Sequence, residues 1–268
     1  MLSDGRLASG CYDETIRIWD VDTGECGLIL KGHTGPVTAL CALGDGRLAS
    51  GCYDETIRIW DTDTGECGLI LKGHTGPVLA LCVLRDGRLA SGSGDGTICI
   101  WDADTGECLQ TLRGHTGDVV ALCVLGDGRL ASSSSDEVIC IWDTTTGDYS
   151  MTFTGDTRYV TAMCLLADGR LASGSVYGKI CIWDVETGQC ELILRGHTGE
   201  VYALCILGDG TLASGSGSYD NTIRIWDVET GECIQTLRGH DKDVFALCVL
   251  GDGRLASGSM DNTVRIWI

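Results

Sequence analysis

Apolar positions along the chain come in short bursts, separated by clusters of Gly, Asp and Thr. Runs this short, rich in β-branched and aromatic residues, predict strands and not helices. The clearest stretch is Arg47 to Asp61, RLASGCYDETIRIWD. Leu48 to Ser50 reads as one strand, Tyr53-Asp54-Glu55 as a polar turn and Thr56 to Trp60 as a second strand. A lone hairpin cannot keep its apolar surface from water. Here the hairpin recurs seven times, at Trp19, Trp60, Trp101, Trp142, Trp183, Trp226 and Trp267, with spacings of 41 residues and one of 43. A fixed period of this length, made of short strands, predicts radial repetition of one unit.

Between successive tryptophans each unit carries the same sequence of elements. After Trp60-Asp61 come a turn, a strand from Glu66 to Leu71, a loop at Gly73 to Gly76, and the most apolar strand, Val78 to Leu84. Asp86-Gly87 then suits the tight turn of a two-residue hairpin. The same Asp-Gly returns at Asp4, Asp45, Asp127, Asp168, Asp209 and Asp252. Four antiparallel strands per period make one propeller blade, and the apolar run Val78 to Leu84 fits a strand covered on both faces.

Gly-His, about twenty-seven residues ahead of Trp-Asp with LASGS and Asp between, makes the chain resemble the WD-repeat β-propellers. Five Gly-His and six Trp-Asp pairs fall in register along the whole chain. The resemblance implies a closed ring of blades, usually seven, that serves as a platform for protein partners. The expected fold class is therefore all-β, a seven-bladed β-propeller of four-stranded antiparallel blades, in a single domain over residues 1–268. The chain opens at Leu2-Ser3-Asp4-Gly5, equivalent to Leu43 to Gly46, and ends at Trp267-Ile268. Blade one is thus expected to lack its inner strand and blade seven its outer one, giving twenty-six strands in place of twenty-eight. The competing arrangement is a six-bladed ring with Arg254 to Ile268 surplus. An open edge at Thr263 to Trp267 is a place for pairing with another chain, hence for self-association.

Net charge narrows the partners. Thirty-eight acids against nineteen bases give −19, which favours solubility and argues against nucleic acid, whose phosphates would be repelled. The longest apolar runs are too short to span a membrane, and the first residues lack a secretory pattern. The sixteen cysteines all fall in repeat columns and form no CxxC pair. They read as small buried hydrophobes kept reduced in the cytoplasm or nucleus, with no metal or cofactor expected.

A Ser, His and Asp recur in each full unit: His33, Ser50, Asp54 with Trp60; His74, Ser91, Asp95 with Trp101; His115, Ser132, Asp136 with Trp142; and His240, Ser257, Asp261 with Trp267. A hydrolytic triad uses the same residue types. Here the set repeats, lacks a nucleophile elbow and consumes all five histidines. A structural reading explains more, because a buried indole N–H needs an acceptor and buried His and Asp need partners. WD-repeat proteins carry such a tetrad at the matching positions. The fifth unit has Gly155-Asp156 in place of Gly-His and Tyr177 in place of the aspartate, losing both together. No catalytic residue, and no enzyme, is expected.

Function is expected where columns vary. Beside the tetrad aspartate stand Tyr12, Tyr53, Tyr219 and Met260, with Tyr177 in the aspartate position itself. Around the valine that opens the apolar strand stand Leu79, Asp118, Tyr159, Glu200, Tyr202, Asp243 and Phe245. In the WD-repeat family both markers lie at one mouth of the ring. Aromatic residues among acids make a hot spot for a protein or peptide carrying Lys or Arg. The expected function is a non-catalytic interaction scaffold. The alternative is a recently amplified or designed repeat array without an evolved ligand, favoured by the near-identity of units one and two.

Overall fold

The computed structural model describes residues 1–153 and 159–267. Among them are 26 strands and no helix. The strands form seven antiparallel sheets, the first and last three-stranded and the others four-stranded. The fold class is the seven-bladed β-propeller expected from the repeats, and the two short blades are the ones the strand count pointed to.

Sheet 3 shows the pattern. Its strands are Val78–Val83, Leu89–Ser93, Thr97–Trp101 and Cys108–Arg113, in that order across the sheet. Sheet 1 holds only Leu7–Gly10, Thr15–Trp19 and Cys26–Lys31, which match the last three. Sheet 7 holds Val244–Val249, Leu255–Ser259 and Val264–Trp267, which match the first three.

Two features differ from the sequence reading. The apolar first strand is not the best covered: in Val78–Val83 only Val78 and Ala80 are buried and the rest are half-buried, whereas Leu89–Ser93 and Thr97–Trp101 are buried throughout. It is an edge strand of its sheet, and the middle strands are flanked on both sides. The Asp-Gly turn is a three-residue loop. Leu84 N–H donates to the Arg88 carbonyl at 2.8 Å and Gly87 N–H to Leu84 at 3.0 Å, with Gly87 left-handed at φ +88°. This is a type I turn closed by a glycine bulge.

The strands fall into two compact units. One comprises Met1–Val124, Gly128–Ser134 and Trp142–Ser150; the other comprises Leu125–Asp127, Ser135–Ile141 and Met151–Ile268. Sheets 1 to 3 lie in the first and sheets 5 to 7 in the second. In each unit the core sits between consecutive sheets. Ile57, Ile59 and Leu71 of sheet 2 pack with Val78, Leu89 and Trp101 of sheet 3. In the second unit Ile180, Ile182 and Leu194 pack with Val201, Leu212 and Trp226. Burial of such side chains contributes roughly 1.5–3 kcal/mol each. Close approach explains the glycine in LASGS: a Cβ at Gly92 would stand 2.6 Å from Val119 Cγ1.

The Asp-Gly-Arg turn also joins neighbouring sheets. Arg47 donates to the Ala103 carbonyl at 2.9 Å and to Asp104 at 2.6 Å. Arg6 makes the same reach to Thr62 and Asp63, and Arg170 to Val228 and Glu229. Among the described residues no helix is long and apolar enough to cross a membrane.

Candidate functional site

The second strand of each hairpin delivers a tryptophan whose indole N–H needs an acceptor in the core. In sheet 2 Trp60 Nε1 donates to Ser50 Oγ at 2.7 Å, and His33 Nε2 lies 2.7 Å from the same oxygen. His33 Nδ1 meets Asp54 Oδ2 at 2.9 Å. Sheet 3 repeats this with Trp101–Ser91 at 2.7 Å, His74–Ser91 at 2.7 Å and His74–Asp95 at 3.0 Å. Sheet 7 gives Trp267–Ser257 at 2.8 Å, His240–Ser257 at 2.7 Å and His240–Asp261 at 2.7 Å. In sheet 4 Trp142 and His115 both reach Ser132 at 2.7 Å, and Asp136 opens the following turn by accepting from Val138 N–H.

The sixth unit, whose hairpin turn is two residues longer, is absent from the four sets named from the sequence. Its tetrad is nonetheless complete: Trp226–Ser214 at 2.8 Å, His197–Ser214 at 2.6 Å and His197–Asp220 at 3.0 Å. Among the described residues, sheets 1 and 5 show the indole bond, Trp19 to Ser9 and Trp183 to Ser173. Gly155 and Asp156 lie outside the described residues.

A fifth participant was also missed. Thr56, Thr97 and Thr263 each donate Oγ–H to the tetrad aspartate at 2.6 Å, and the backbone N–H of Thr34 and Thr75 reaches its other oxygen. The signal was the threonine two residues after the aspartate. For Asp95, burial raises the pKa, but Thr97, the Thr75 and Thr97 amides and His74 outweigh it and hold the carboxyl down at about 2. Asp54, Asp220 and Asp261 are held well below the usual carboxylate range in the same way. Burial lowers the His33 pKa, opposed by Asp54. Hydroxyl, imidazole and carboxylate are thus spent on one another and on an indole.

The cysteines differ from the reading above. All sixteen are free, yet only Cys52, Cys99, Cys140 and Cys181 are buried, while Cys26 and Cys108 are exposed. The columns alternate in and out of the strand faces, so occupying a strand does not bury every thiol.

In sheets 2, 3, 5 and 7 the two variable markers meet by a backbone bond. The residue before the tetrad aspartate donates to the residue before the opening valine: Tyr53 to Pro36 at 3.0 Å, Gly94 to Pro77 at 2.8 Å, Val176 to Tyr159 at 3.1 Å and Met260 to Asp243 at 2.9 Å. In sheet 6 the insertion hands this role to Gly217, which donates to Glu200 at 2.9 Å, and Tyr219 is displaced to the tip, almost fully exposed.

In the first unit Tyr12 and Tyr53 are exposed, Asp118 is exposed and Leu79 half-buried. No ring contact joins these two tyrosines to another aromatic among the described residues. The second unit is different. Tyr202 and Phe245 pack at 4.7 Å between ring centroids, and Tyr159 stands edge-on to Tyr177 at 6.3 Å. Tyr202 donates its hydroxyl to Glu200 at 2.6 Å, and Ser218 N–H donates to Asp243 at 3.0 Å. Burial, with Glu200 and Asp243 close by, pushes the Tyr202 phenol well above its ordinary value. Tyr219, Asn221, Asp243 and Met260 line a cavity of about 350 Å³.

The family model described as WD domain, G-beta repeat matches residues 2–20, 24–61, 65–102, 106–143, 147–184, 188–227 and 231–267. The chain belongs to this family. Shorter similarities connect this WD-repeat chain to single stretches of larger proteins. It is 40% identical over 43 residues to myosin heavy chain kinase C of Dictyostelium discoideum, covering 16% of this chain and 6% of that protein. It is 45% identical over 38 residues to a ribosome biogenesis protein WDR12 homolog of Ixodes scapularis, 14% and 9% of the two chains. To F-box/WD repeat-containing protein 10 of Mus musculus it is 54% identical over 37 residues, 14% and 4%. The WD-repeat chain spans less than a tenth of the length of these curated relatives, so their names bear on the repeat they share with it.

Proposed function

We propose that this WD-repeat chain is a non-catalytic interaction scaffold that takes a peptide segment bearing Lys or Arg on the loops of its second unit. The observation that carries the reading is the packed Tyr202–Phe245 pair flanked by Glu200 and Asp243. Partly exposed aromatics beside carboxylates supply contact area and attraction for a cation-bearing chain. Tyr159, Tyr177, Tyr219 and Met260 add exposed apolar surface on the same unit. Tyr12, Tyr53, Leu79 and Asp118 hold the corresponding columns of the first unit. The charge of −19 steers basic segments toward the protein and nucleic acid away. Val264–Trp267 pairs only with Leu255–Ser259 among the described strands, and its open edge supports self-association as a secondary property.

A peptide array read by fluorescence anisotropy tests the proposal. Lys/Arg-bearing peptides should bind more weakly as salt rises, and Phe245→Ala should lower affinity about tenfold or more. Equal binding of acidic or neutral peptides, or an unchanged affinity in Phe245→Ala, would overturn it.

A further inference from the structure

The sheet-2 hairpin differs from those of sheets 3 and 7 at one chemically telling position. Cys52 stands where sheets 3 and 7 have Ser93 and Ser259. Those serines donate Oγ–H to a loop carbonyl, Gly76 or Lys242, and accept the N–H of the tetrad aspartate, Asp95 or Asp261 at 3.1 Å. Cys52 makes the same two bonds, donating to Gly35 at 3.0 Å and accepting from Asp54 N–H at 3.3 Å. Serine and cysteine are therefore interchangeable there for folding. What the thiol adds is a soft ligand atom beside the tetrad.

We propose that His33, Cys52 and Asp54 form a zinc(II)-binding site. The His33 ring nitrogen, the Cys52 sulfur and an Asp54 oxygen lie within 4.8 Å of one another, and among the described residues no other cluster of this kind occurs. Tetrahedral zinc holds such atoms about 3.3–3.7 Å apart, so a side-chain movement of about 1 Å closes the set. The Gly35 carbonyl oxygen, 3.0 Å from the sulfur, or a water fills the fourth position.

Proton placement fits. A carboxylate can only accept, which puts the proton of metal-free His33 on Nδ1 toward Asp54 and leaves Nε2 to accept from Ser50. With zinc on Nδ1, the imidazole proton sits on Nε2 and is donated to Ser50 Oγ, which turns its own hydrogen toward the Arg58 carbonyl at 3.5 Å. A metal-bound imidazole is normally held by such a second hydrogen bond. The serine and histidine each keep one proton, and the Cys52 thiol releases one to water. Zinc then balances one thiolate and one carboxylate, leaving a neutral cluster in a buried place. Coordination to the metal is what ionises the Cys52 thiol.

The test uses the reduced protein with cobalt(II) as spectroscopic probe and zinc(II) as ligand. One equivalent of cobalt should give a thiolate charge-transfer absorption together with four-coordinate d–d bands. Cys52→Ser should abolish both while melting, metal-free, within a few degrees of the wild type. Zinc should raise the melting temperature of the wild type and not of the variant. A charge-transfer band that persists in Cys52→Ser would place the metal on other thiols, such as exposed Cys26 or Cys108, and overturn the assignment. So would equal zinc stabilisation of both proteins, or no band in the wild type. Should the variant melt far below the wild type, zinc X-ray absorption of the wild type decides: one sulfur at about 2.3 Å with nitrogen and oxygen at about 2.0 Å supports the site, and two or more sulfurs overturn it.

Discussion

The hairpins of sheets 2 and 6 share a scaffold and differ at the tip. In sheet 2, Cys52, Tyr53 and Asp54 follow one another without insertion, and Tyr53 N–H caps Pro36. In sheet 6 the turn is two residues longer, and Ser218, Tyr219 and Asn221 take left-handed backbone conformations at φ 51°, 78° and 52°. The His–Ser and His–Asp distances nevertheless agree to 0.1 Å: 2.7 and 2.9 Å in sheet 2 against 2.6 and 3.0 Å in sheet 6. The tetrad is fixed by what it buries, and the tip is free to change. A repeat protein can thus alter its recognition surface without altering what holds its sheets together.

Acid should strain both hairpins at once, and this is the largest effect expected. The folded pKa values of Asp54, Asp95, Asp220 and Asp261 lie below the ordinary carboxylate value of about 3.9. The unfolded chain therefore binds protons first, so the stabilisation is fully present above about pH 5 and is lost as pH falls through 4 toward about 2. His33, lowered by burial, acts in the same direction below about pH 6.5. Urea midpoints measured from pH 7 to 2 should be level at first and then fall; a rise on acidification would contradict the tetrad electrostatics.

Single deletions come next. His33→Ala and His197→Ala should each cost about 1–3 kcal/mol, since each leaves a buried serine and a carboxylate short of a partner. Chemical denaturation compares them directly, and a negligible loss for His197→Ala would show that the insertion has uncoupled the sixth tetrad.

Removing Ser218 and Tyr219 converts the sixth tip to the form of sheet 3, where Gly94 caps Pro77. Stability should move by less than about 1 kcal/mol, with the Trp226 indole N–H still protected from exchange, while peptide affinity falls. A loss above about 3 kcal/mol would make the tip part of the scaffold.

The smallest effect is expected at the opposite turn, where Arg47 of sheet 2 is replaced by Thr211 in sheet 6. Arg47→Thr should cost about 0.2–1 kcal/mol, because its ion pair with the exposed Asp104 is screened by water. A shift of several degrees per arginine at high salt would show that these links carry more than surface pairing.

Much of the fold was legible in the chain because it is written seven times. Register, strand number and the two short terminal sheets follow from counting tryptophans and Asp-Gly turns. The tetrad at Asp95 was legible from residue type, since indole, imidazole and carboxylate cannot be buried unpaired. Its threonine donor was harder to see, because threonine after a turn also suits a strand. The degree of burial of Val78–Val83 was not legible at all, since an apolar run does not say whether its strand sits in the middle or at the edge of a sheet. Nor was the packing of Tyr202 on Phe245, whose partners stand one whole repeat apart.

The sequence alone determined what is local and periodic: strand identity, turn positions, the column of each polar group and the surplus of negative charge. Each is set within a few residues by alternation, turn chemistry and the need to pair buried polar atoms. Tertiary structure decided what depends on neighbours distant in the chain. It brought Cys52 beside His33 and Asp54, let the sixth tetrad close beneath a longer tip, and paired Tyr202 with Phe245 and Tyr159 with Tyr177 in the second unit while leaving Tyr12 and Tyr53 apart. Those outcomes turn on how neighbouring sheets pack and how each loop folds over its hairpin, and the repeat pattern that the units share carries no information about either.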